Sequence, residues 1–116
     1  MNGELFLYNT TFVAETEETE TLVRWLINSL LPTAIGKEGG EAYFLNQPPF
    51  SPQIMKVMGS GEESVSIAVH LYTDALENIE NWYADYGAEL FSEALERWNQ
   101  RVMFFSTTLK SVYAES

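Results

Sequence analysis

The chain has 116 residues, of which 17 are Asp or Glu and 6 are Lys or Arg, so its formal net charge is −11. It contains no cysteine, and 46% of its residues are hydrophobic. This composition predicts one folded domain over residues 1–116, and it excludes disulfides, thiolate metal sites and a cysteine nucleophile. The acidic charge argues against nucleic acid as a partner, because phosphate binding needs clustered basic side chains.

The cellular compartment is predicted from membrane-spanning and signal segments, neither of which the sequence shows. No apolar run approaches the roughly 20 residues of a membrane-spanning helix. Residues 1–14 carry no basic segment of the kind that opens a secretory signal. We therefore expect a cytoplasmic protein that does not contact a membrane.

The chain opens with a predicted strand and helix. Residues 5–13 are rich in aromatic and β-branched side chains, which favour a strand. Thr16 and the acids after it indicate a helix start, since a hydroxyl caps a backbone N–H and negative charge suits this end of the helix dipole. Helical spacing then joins Leu22, Val23, Leu26, Ile27 and Leu30. Pro32 is expected to kink or end this helix, and Gly36 to cap it.

The middle of the chain is predicted to be a loop followed by a strand hairpin. Residues 37–52 contain three of the four prolines, which indicates a long loop. Residues 54–58 are predicted to form a short strand, and 59–62 carry a turn signal. Residues 64–72 form the clearest predicted strand, since apolar side chains alternate strictly from Val65 to Leu71.

The last part of the chain predicts a second helix and a final strand. Asp74, with Glu77 three residues later, is typical of a capping box. The expected apolar stripe of this helix is Leu76, Ile79, Tyr83, Gly87, Leu90 and Ala94. A strand then runs from Val102 to about Tyr113. The order β-α-β-β-α-β predicts an α+β, ferredoxin-like sandwich: a four-stranded antiparallel sheet with two helices on one face.

The second face of this sheet is the predicted binding surface. The strands carry apolar side chains in both alternating rows, whereas a face left to solvent is usually polar. We favour a second subunit or an apolar ligand as its cover, with the long loop or a terminus as the alternative. The hypothetical ligand or partner face consists of Tyr8, Thr10, His70, Tyr72, Phe105 and Thr107. A bulge near Asn9 would exchange the two rows of the first strand.

Two tryptophans fall outside the predicted helix stripes. At 100° per residue, Trp25 lies beside polar residues of the first helix, and Trp82 lies beside Glu89 and Glu93 of the second. Exposed tryptophan is enriched at interfaces, so both are hypothetical interface residues. The alternative is a ring folded down along the edge of its own helix.

The sequence offers little for catalysis, metal binding or cofactor binding. His70 is the one histidine, and no ligand spacing surrounds it, so no metal site is predicted. As a catalytic base it would need a partner group and a pocket, and an ordinary hydrogen-bonded or interface histidine fits the pattern better. No phosphate-binding glycine motif is present, and no cofactor is expected. The acids along the second helix favour a solvated face over a site for a basic partner.

Short motifs along most of the chain resemble a family of small uncharacterised bacterial proteins, the domain of unknown function 4286 family. They are YNTTF at 8–12, Trp25-Leu26 and Leu31-Pro32 in the first helix, SPQIMKV at 51–57, and FSTTL at 105–109. The resemblance implies a ferredoxin-like fold, and it carries over no activity or catalytic residues. The chain departs from the family pattern at residues 37–50, where the connection is longer.

The sequence therefore predicts a non-catalytic binding or interaction module that forms a homodimer through its second sheet face. A small apolar ligand is the other partner that it leaves open. The alternative function is an enzyme of the dimeric α/β-barrel type, with a small-molecule pocket between the paired sheets. In that case His70, Tyr72, Tyr8 and Thr107 are the residues to test.

Overall fold

A computed structural model describes residues 4–35, 37–38, 41–42, 50–59 and 63–113. The main sheet is formed by β1 (Phe6–Glu15), β4 (Ser51–Lys56), β5 (Ser64–Thr73) and β6 (Val102–Lys110), and the short strands β2 (Lys37–Glu38) and β3 (Glu41–Ala42) pair with each other. The main sheet has the order β4-β5-β1-β6, and every neighbouring pair is antiparallel. The α+β class and the four-stranded antiparallel sheet with two helices are confirmed.

The first helix spans residues 16–34 in four segments. A 3-10 turn (Thr16–Glu18) and an α segment (Thr19–Trp25) lead into a π-helical turn (Leu26–Leu30) and a last α turn (Leu31–Ala34). The predicted cap at Thr16 is wrong, because Glu15 occupies the N-cap position and makes no side-chain cap hydrogen bond. Pro32 lies just after the π turn, and the helix ends two residues later at Ala34. Gly36, the predicted terminal cap, lies outside the described residues.

The second helix spans residues 76–98 and also contains a π-helical turn. Its segments are α (Leu76–Trp82), π (Tyr83–Gly87) and α (Ala88–Trp98), followed by a 3-10 turn (Asn99–Arg101). The predicted capping box at Asp74 is wrong, since Ala75 is the N-cap and makes no side-chain cap hydrogen bond. Instead the side-chain amide of Asn78 donates to Oγ1 of Thr73 at 2.8 Å.

The π turns change which residues of the helices face the core. An i→i+5 turn contains one residue more than an α turn. The buried positions of the second helix are Ile79, Trp82, Gly87, Phe91, Ala94 and Trp98. The interval of five between Trp82 and Gly87 is the π turn. The predicted stripe is wrong at Tyr83 and at Leu76, which are 45% and 43% exposed, whereas Leu90 is half-buried and packs against the core beside the buried Phe91.

Both helices pack on the same face of the sheet. In β1 the even-numbered side chains from Phe6 to Ala14 are buried, and the odd-numbered ones from Leu7 to Val13 are half-buried. Phe12 contacts Trp25 of the first helix and Phe91 of the second, with ring centroids 6.4 Å apart in each pair. One strand side chain thus touches both helices, and the core lies between them and the sheet.

The connection before β4 differs from the predicted long loop. The strand begins at Ser51 rather than Ile54 and includes Pro52. β4 is an edge strand, and proline is tolerated at a sheet edge because one side of the strand makes no ladder hydrogen bonds. Phe50 is buried beside Trp82, with ring centroids 6.2 Å apart. Residues 43–49 lie outside the described part. Within the described ranges, no helix is long and apolar enough to cross a membrane.

Candidate interaction surface

The face of the sheet turned away from the helices is the candidate site, and we call it the open sheet face. Its members follow from the strand register and from the alternation of side chains along each strand. They are Ser51, Gln53 and Met55 of β4; Ser66, Ala68, His70 and Tyr72 of β5; Leu7, Asn9, Thr11 and Val13 of β1; and Met103, Phe105, Thr107 and Leu109 of β6. Glu15, the last residue of β1, continues this alternation at one end of the face and is its one charged residue among the described strands.

A polar row crosses the centre of the open sheet face. The register aligns Gln53, His70, Asn9 and Thr107 across the four strands. The side-chain amide of Asn9 donates to Oγ1 of Thr11 at 3.3 Å. The hydroxyl of Tyr72 lies 3.4 Å from Nδ1 of His70, and the two rings meet edge to face with centroids 5.8 Å apart.

Apolar side chains flank this polar row and reach solvent. Met103, Phe105 and Leu109 of β6 are exposed, as is Met55 of β4. Beside them, Ala68 is buried, and Leu7 and Val13 are half-buried. Contiguous exposed apolar surface on a folded domain marks a site for a partner or ligand.

The structure divides the predicted partner residues between the two faces. His70, Tyr72, Phe105 and Thr107 lie on the open sheet face, but Tyr8 and Thr10 face the helices. Grouping the six on one face was wrong. β1 pairs with β5 without a break from Phe6 to Glu15, so no bulge at Asn9 exchanges the rows.

The two predicted interface tryptophans are buried in the core, each only 4% exposed. Nε1 of Trp25 donates to Oε2 of Glu93 at 3.0 Å, and Nε1 of Trp82 donates to Oγ1 of Thr33 at 3.0 Å. Each indole therefore connects the two helices by a hydrogen bond. Their prediction as exposed interface residues is wrong, because both rings pack inward and find polar partners on the opposite helix.

The ionisable residues His70 and Tyr8 lie on opposite faces of the sheet and have different surroundings. Within the described residues, no carboxylate lies at hydrogen-bond distance from His70, and no group of three or more His, Asp or Glu could hold a metal ion. Burial raises the pKa of Tyr8 above its ordinary value of 10.0, although a hydrogen bond with Ser106 opposes the change. Tyr8 belongs to the covered face.

The sequence-based list of site residues missed part of the open sheet face. Met103 and Leu109 share a row with Phe105 and Thr107, and Met55 lies opposite Ala68 across the pair of β4 and β5. The period-two pattern of residues 103–109 was the available signal in β6. In β4 the strand start at Ser51 was not recognised, so its rows could not be assigned.

The fold is similar to that of a solved structure titled "De novo designed protein Foldit4". The TM-score is 0.58 at 11% sequence identity, and the alignment covers 93% of this chain and 98% of that one. At this identity the likeness concerns the fold alone: an α+β sandwich with one sheet and two helices.

The model of the family described as "Domain of unknown function (DUF4286)" matches residues 5–112. The chain belongs to this family, which confirms the resemblance that its motifs indicated. No curated protein matches the chain. The family description names no activity, so function has to be argued from the open sheet face itself.

Proposed function

We propose that the protein is a non-catalytic interaction module that forms a homodimer by packing its open sheet face against the same face of a second copy. The observation that carries the proposal is the set of exposed apolar side chains on this face, Met55, Met103, Phe105 and Leu109, on a chain with net charge −11. Two such faces pack with their sheets about 10 Å apart, and the side chains between them interdigitate, as in other sheet sandwiches. A two-fold axis would give both copies the same contacts.

The distribution of acidic residues supports this arrangement. The helices carry Glu17, Glu18, Glu20, Glu77, Glu80, Asp85, Glu89, Glu93 and Glu96. Packing sheet to sheet keeps these two acidic layers on the outside of the dimer, separated by both sheets. Contact through the helices would bring like charges together and is disfavoured.

A ferredoxin-like assignment is part of the proposal and is supported by the strand order. In β4-β5-β1-β6, each helix connects two strands that have one other strand between them. The single domain over residues 1–116, the bacterial source and the cytoplasmic location are carried forward as predictions of the sequence.

A small-molecule enzyme with its pocket between two paired sheets is the second candidate. The observation that favours it is the polar row at the centre of the open sheet face, where His70 and Tyr72 adjoin. Tyr8 leaves the set of residues to test, since it faces the helices. Thr107 stays in it.

The experiment is sedimentation velocity at micromolar concentration, with two variants that add the same charge. Met103→Glu adds a carboxylate to the open sheet face, and Leu95→Glu adds one to the second helix. The two parent side chains are 60% and 57% exposed, so neither change should unfold the monomer. We expect dimers for the wild type and for Leu95→Glu, and monomers for Met103→Glu. Monomeric wild type, or equal behaviour of the two variants, would refute the proposed interface.

Native mass spectrometry separates the two candidate functions. The interaction module predicts a dimer of protein mass alone. The enzyme alternative predicts a dimer that retains a small molecule, and it predicts that His70→Ala releases this molecule while the dimer persists.

A further inference from the structure

A groove of about 770 Å³ lies between the second helix and β6, and it shares Phe105 with the open sheet face. It is lined by Tyr8, Ile79, Glu80, Tyr83, Ala88, Phe91, Ser92, Leu95, Phe104, Phe105 and Ser106. Aromatic rings form its wall: Tyr83 and Phe91 have centroids 6.2 Å apart, and Phe91 stacks on Phe104 at 5.2 Å. Three successive residues of β6, Phe104, Phe105 and Ser106, contribute to the lining.

The backbone of β6 is unpaired along the side that borders this groove. In an antiparallel pair, residues that exchange hydrogen bonds alternate with residues that do not. The amide of Ser111 donates to the carbonyl of Leu5 at 2.8 Å, next to the pair of Phe6 and Lys110. By this alternation, the odd-numbered residues 103–109 bond to β1. The backbone groups of 104, 106 and 108 point to the sheet edge, where no described residue pairs with them.

The same residues supply side chains to the groove. Phe104 and Ser106 line it, and their N–H and C=O groups are those directed to the free edge. A strand added beside β6 would therefore gain backbone hydrogen bonds and place every second side chain against the groove wall. This is the geometry of peptide recognition by strand addition, in which main-chain bonds give affinity and alternate side chains give specificity.

The edge at β6 also lacks the features by which sheets usually block pairing. β4, the other edge, is six residues long and contains Pro52 and Lys56. β6 is nine residues long, contains no proline, and has its one charge at the terminal Lys110. Short strands, proline and lysine are the usual protection of an edge, so β6 is open to pairing and β4 is not.

The negative charge of Glu80 indicates which kind of partner fits the groove. Glu80 lines the groove, and no cation among the described residues lies at ion-pair distance from it. A second copy paired through β6 would bring its own acidic second helix alongside, and like charges would repel. We propose that an extended basic peptide with apolar alternate residues binds here by adding a strand to β6.

The probe is the peptide fluorescein-Thr-Phe-Thr-Leu-Thr-Lys-Thr-amide, labelled at its N-terminus so that the lysine keeps its charge, and its alternate Phe, Leu and Lys side chains suit the groove. Binding is measured by anisotropy, and amide hydrogen exchange is followed by NMR. We expect the peptide to protect the amides of Phe104, Ser106 and Thr108. Binding without protection of these amides would overturn strand addition.

Two matched peptides carry N-methyl groups on one or the other alternate set of residues. The amides of a strand point alternately toward and away from the neighbouring strand. One methylated series should therefore lose about tenfold or more in affinity, since one or two hydrogen bonds are lost, and the other should retain it. Equal affinity of both series would show that the peptide binds through its side chains alone, and it would refute backbone pairing with β6.

The charge requirement is tested with Glu80→Gln against Glu89→Gln, which removes the same charge from the same helix outside the groove lining. We expect about threefold weaker binding for Glu80→Gln alone, the size of an exposed charge pair. Replacing the peptide lysine by glutamate should weaken binding of the wild type similarly. Equal effects of the two variants would overturn the assigned role of Glu80.

Two further outcomes contradict the proposal. One is protection of the same three amides that grows with protein concentration without peptide, which would identify a second copy as the occupant. The other is no binding at millimolar peptide. Met103→Glu tests this proposal separately from the dimer, because Met103 lies outside the groove lining, although Phe105 belongs to both surfaces. A monomeric Met103→Glu protein should still bind the peptide.

Discussion

β1 presents Phe6, Tyr8 and Phe12 to the two helices, and Leu7 and Val13 to the open sheet face. The first three are buried, and the last two are half-buried. The rows contain similar apolar side chains, so the covering helices account for the difference in burial. The comparison teaches that apolar residues of one strand can serve two purposes: one row holds the fold together, and the other remains available for association.

The largest expected effect on stability comes from replacing a buried side chain, and an exposed side chain of the other face serves as the comparison. Phe12→Ala removes a fully buried ring that touches Trp25, Phe91 and Phe104. We expect its free energy of unfolding to fall by about 3–5 kcal/mol, the usual cost of such a cavity. Met103→Ala is the control on the exposed side and should change monomer stability by less than about 0.5 kcal/mol. Urea unfolding measures both, and similar losses would contradict the division of roles.

A second test concerns the packing that the π turn creates on the covered side. A Cβ at Gly87 would lie 2.8 Å from Cζ3 of Trp82 and 2.9 Å from Cδ1 of Tyr83. Gly87→Ala should therefore destabilise the protein by about 1–2 kcal/mol, although alanine ordinarily stabilises a helix relative to glycine.

The same substitution in a Trp82→Phe background provides the control. The smaller ring lacks the outer indole atoms that the new methyl group would meet, so the cost of Gly87→Ala should shrink. A stabilising effect of Gly87→Ala in the wild-type background, measured by urea unfolding, would refute this account of the turn.

The smallest expected effect is the dependence of stability on alkaline pH. Because burial raises the pKa of Tyr8 in the folded protein above 10.0, the unfolded chain loses this proton first as pH rises. The contribution of Tyr8 is complete below pH 10 and is lost progressively above it. Tyr8→Phe should give a shallower fall in unfolding free energy above pH 10. An alkaline slope that Tyr8→Phe leaves unchanged, measured by urea unfolding at each pH, would contradict this effect of burial.

The sequence pattern predicted the elements and the sheet but not the assignment of β1 to its two faces. Aromatic and β-branched runs identified β1, β5 and β6, and the helical spacing identified both helices. Both rows of β1 mix apolar with polar side chains, so periodicity could not decide between Tyr8 and Asn9 as inward residues. The continuous register with β5 and β6 decides it, and that information is spread over distant parts of the chain.

The helices show a different limit of prediction. A wheel at 100° per residue assumes a uniform α-helix, and it rotates the residues on either side of a π turn incorrectly with respect to each other. The exposed assignment of Trp82 followed from that assumption. Its hydrogen-bond partner Thr33 is 49 residues away in the chain, and the partner of Trp25, Glu93, is 68 away, so neither contact could be read locally.

The unpaired edge of β6 gives the net charge of the chain a further consequence, which concerns pairing between molecules. Residues 103–109 carry no charged side chain of their own, so protection against uncontrolled sheet growth falls to the acidic helices of the same molecule. Their repulsion acts over a screening length of about 10 Å at 0.1 M salt and shortens as salt is added. By this argument the acidic helices give the protein colloidal stability. Added salt should let the β6 edges of two molecules approach more closely, because it screens the repulsion between their helices.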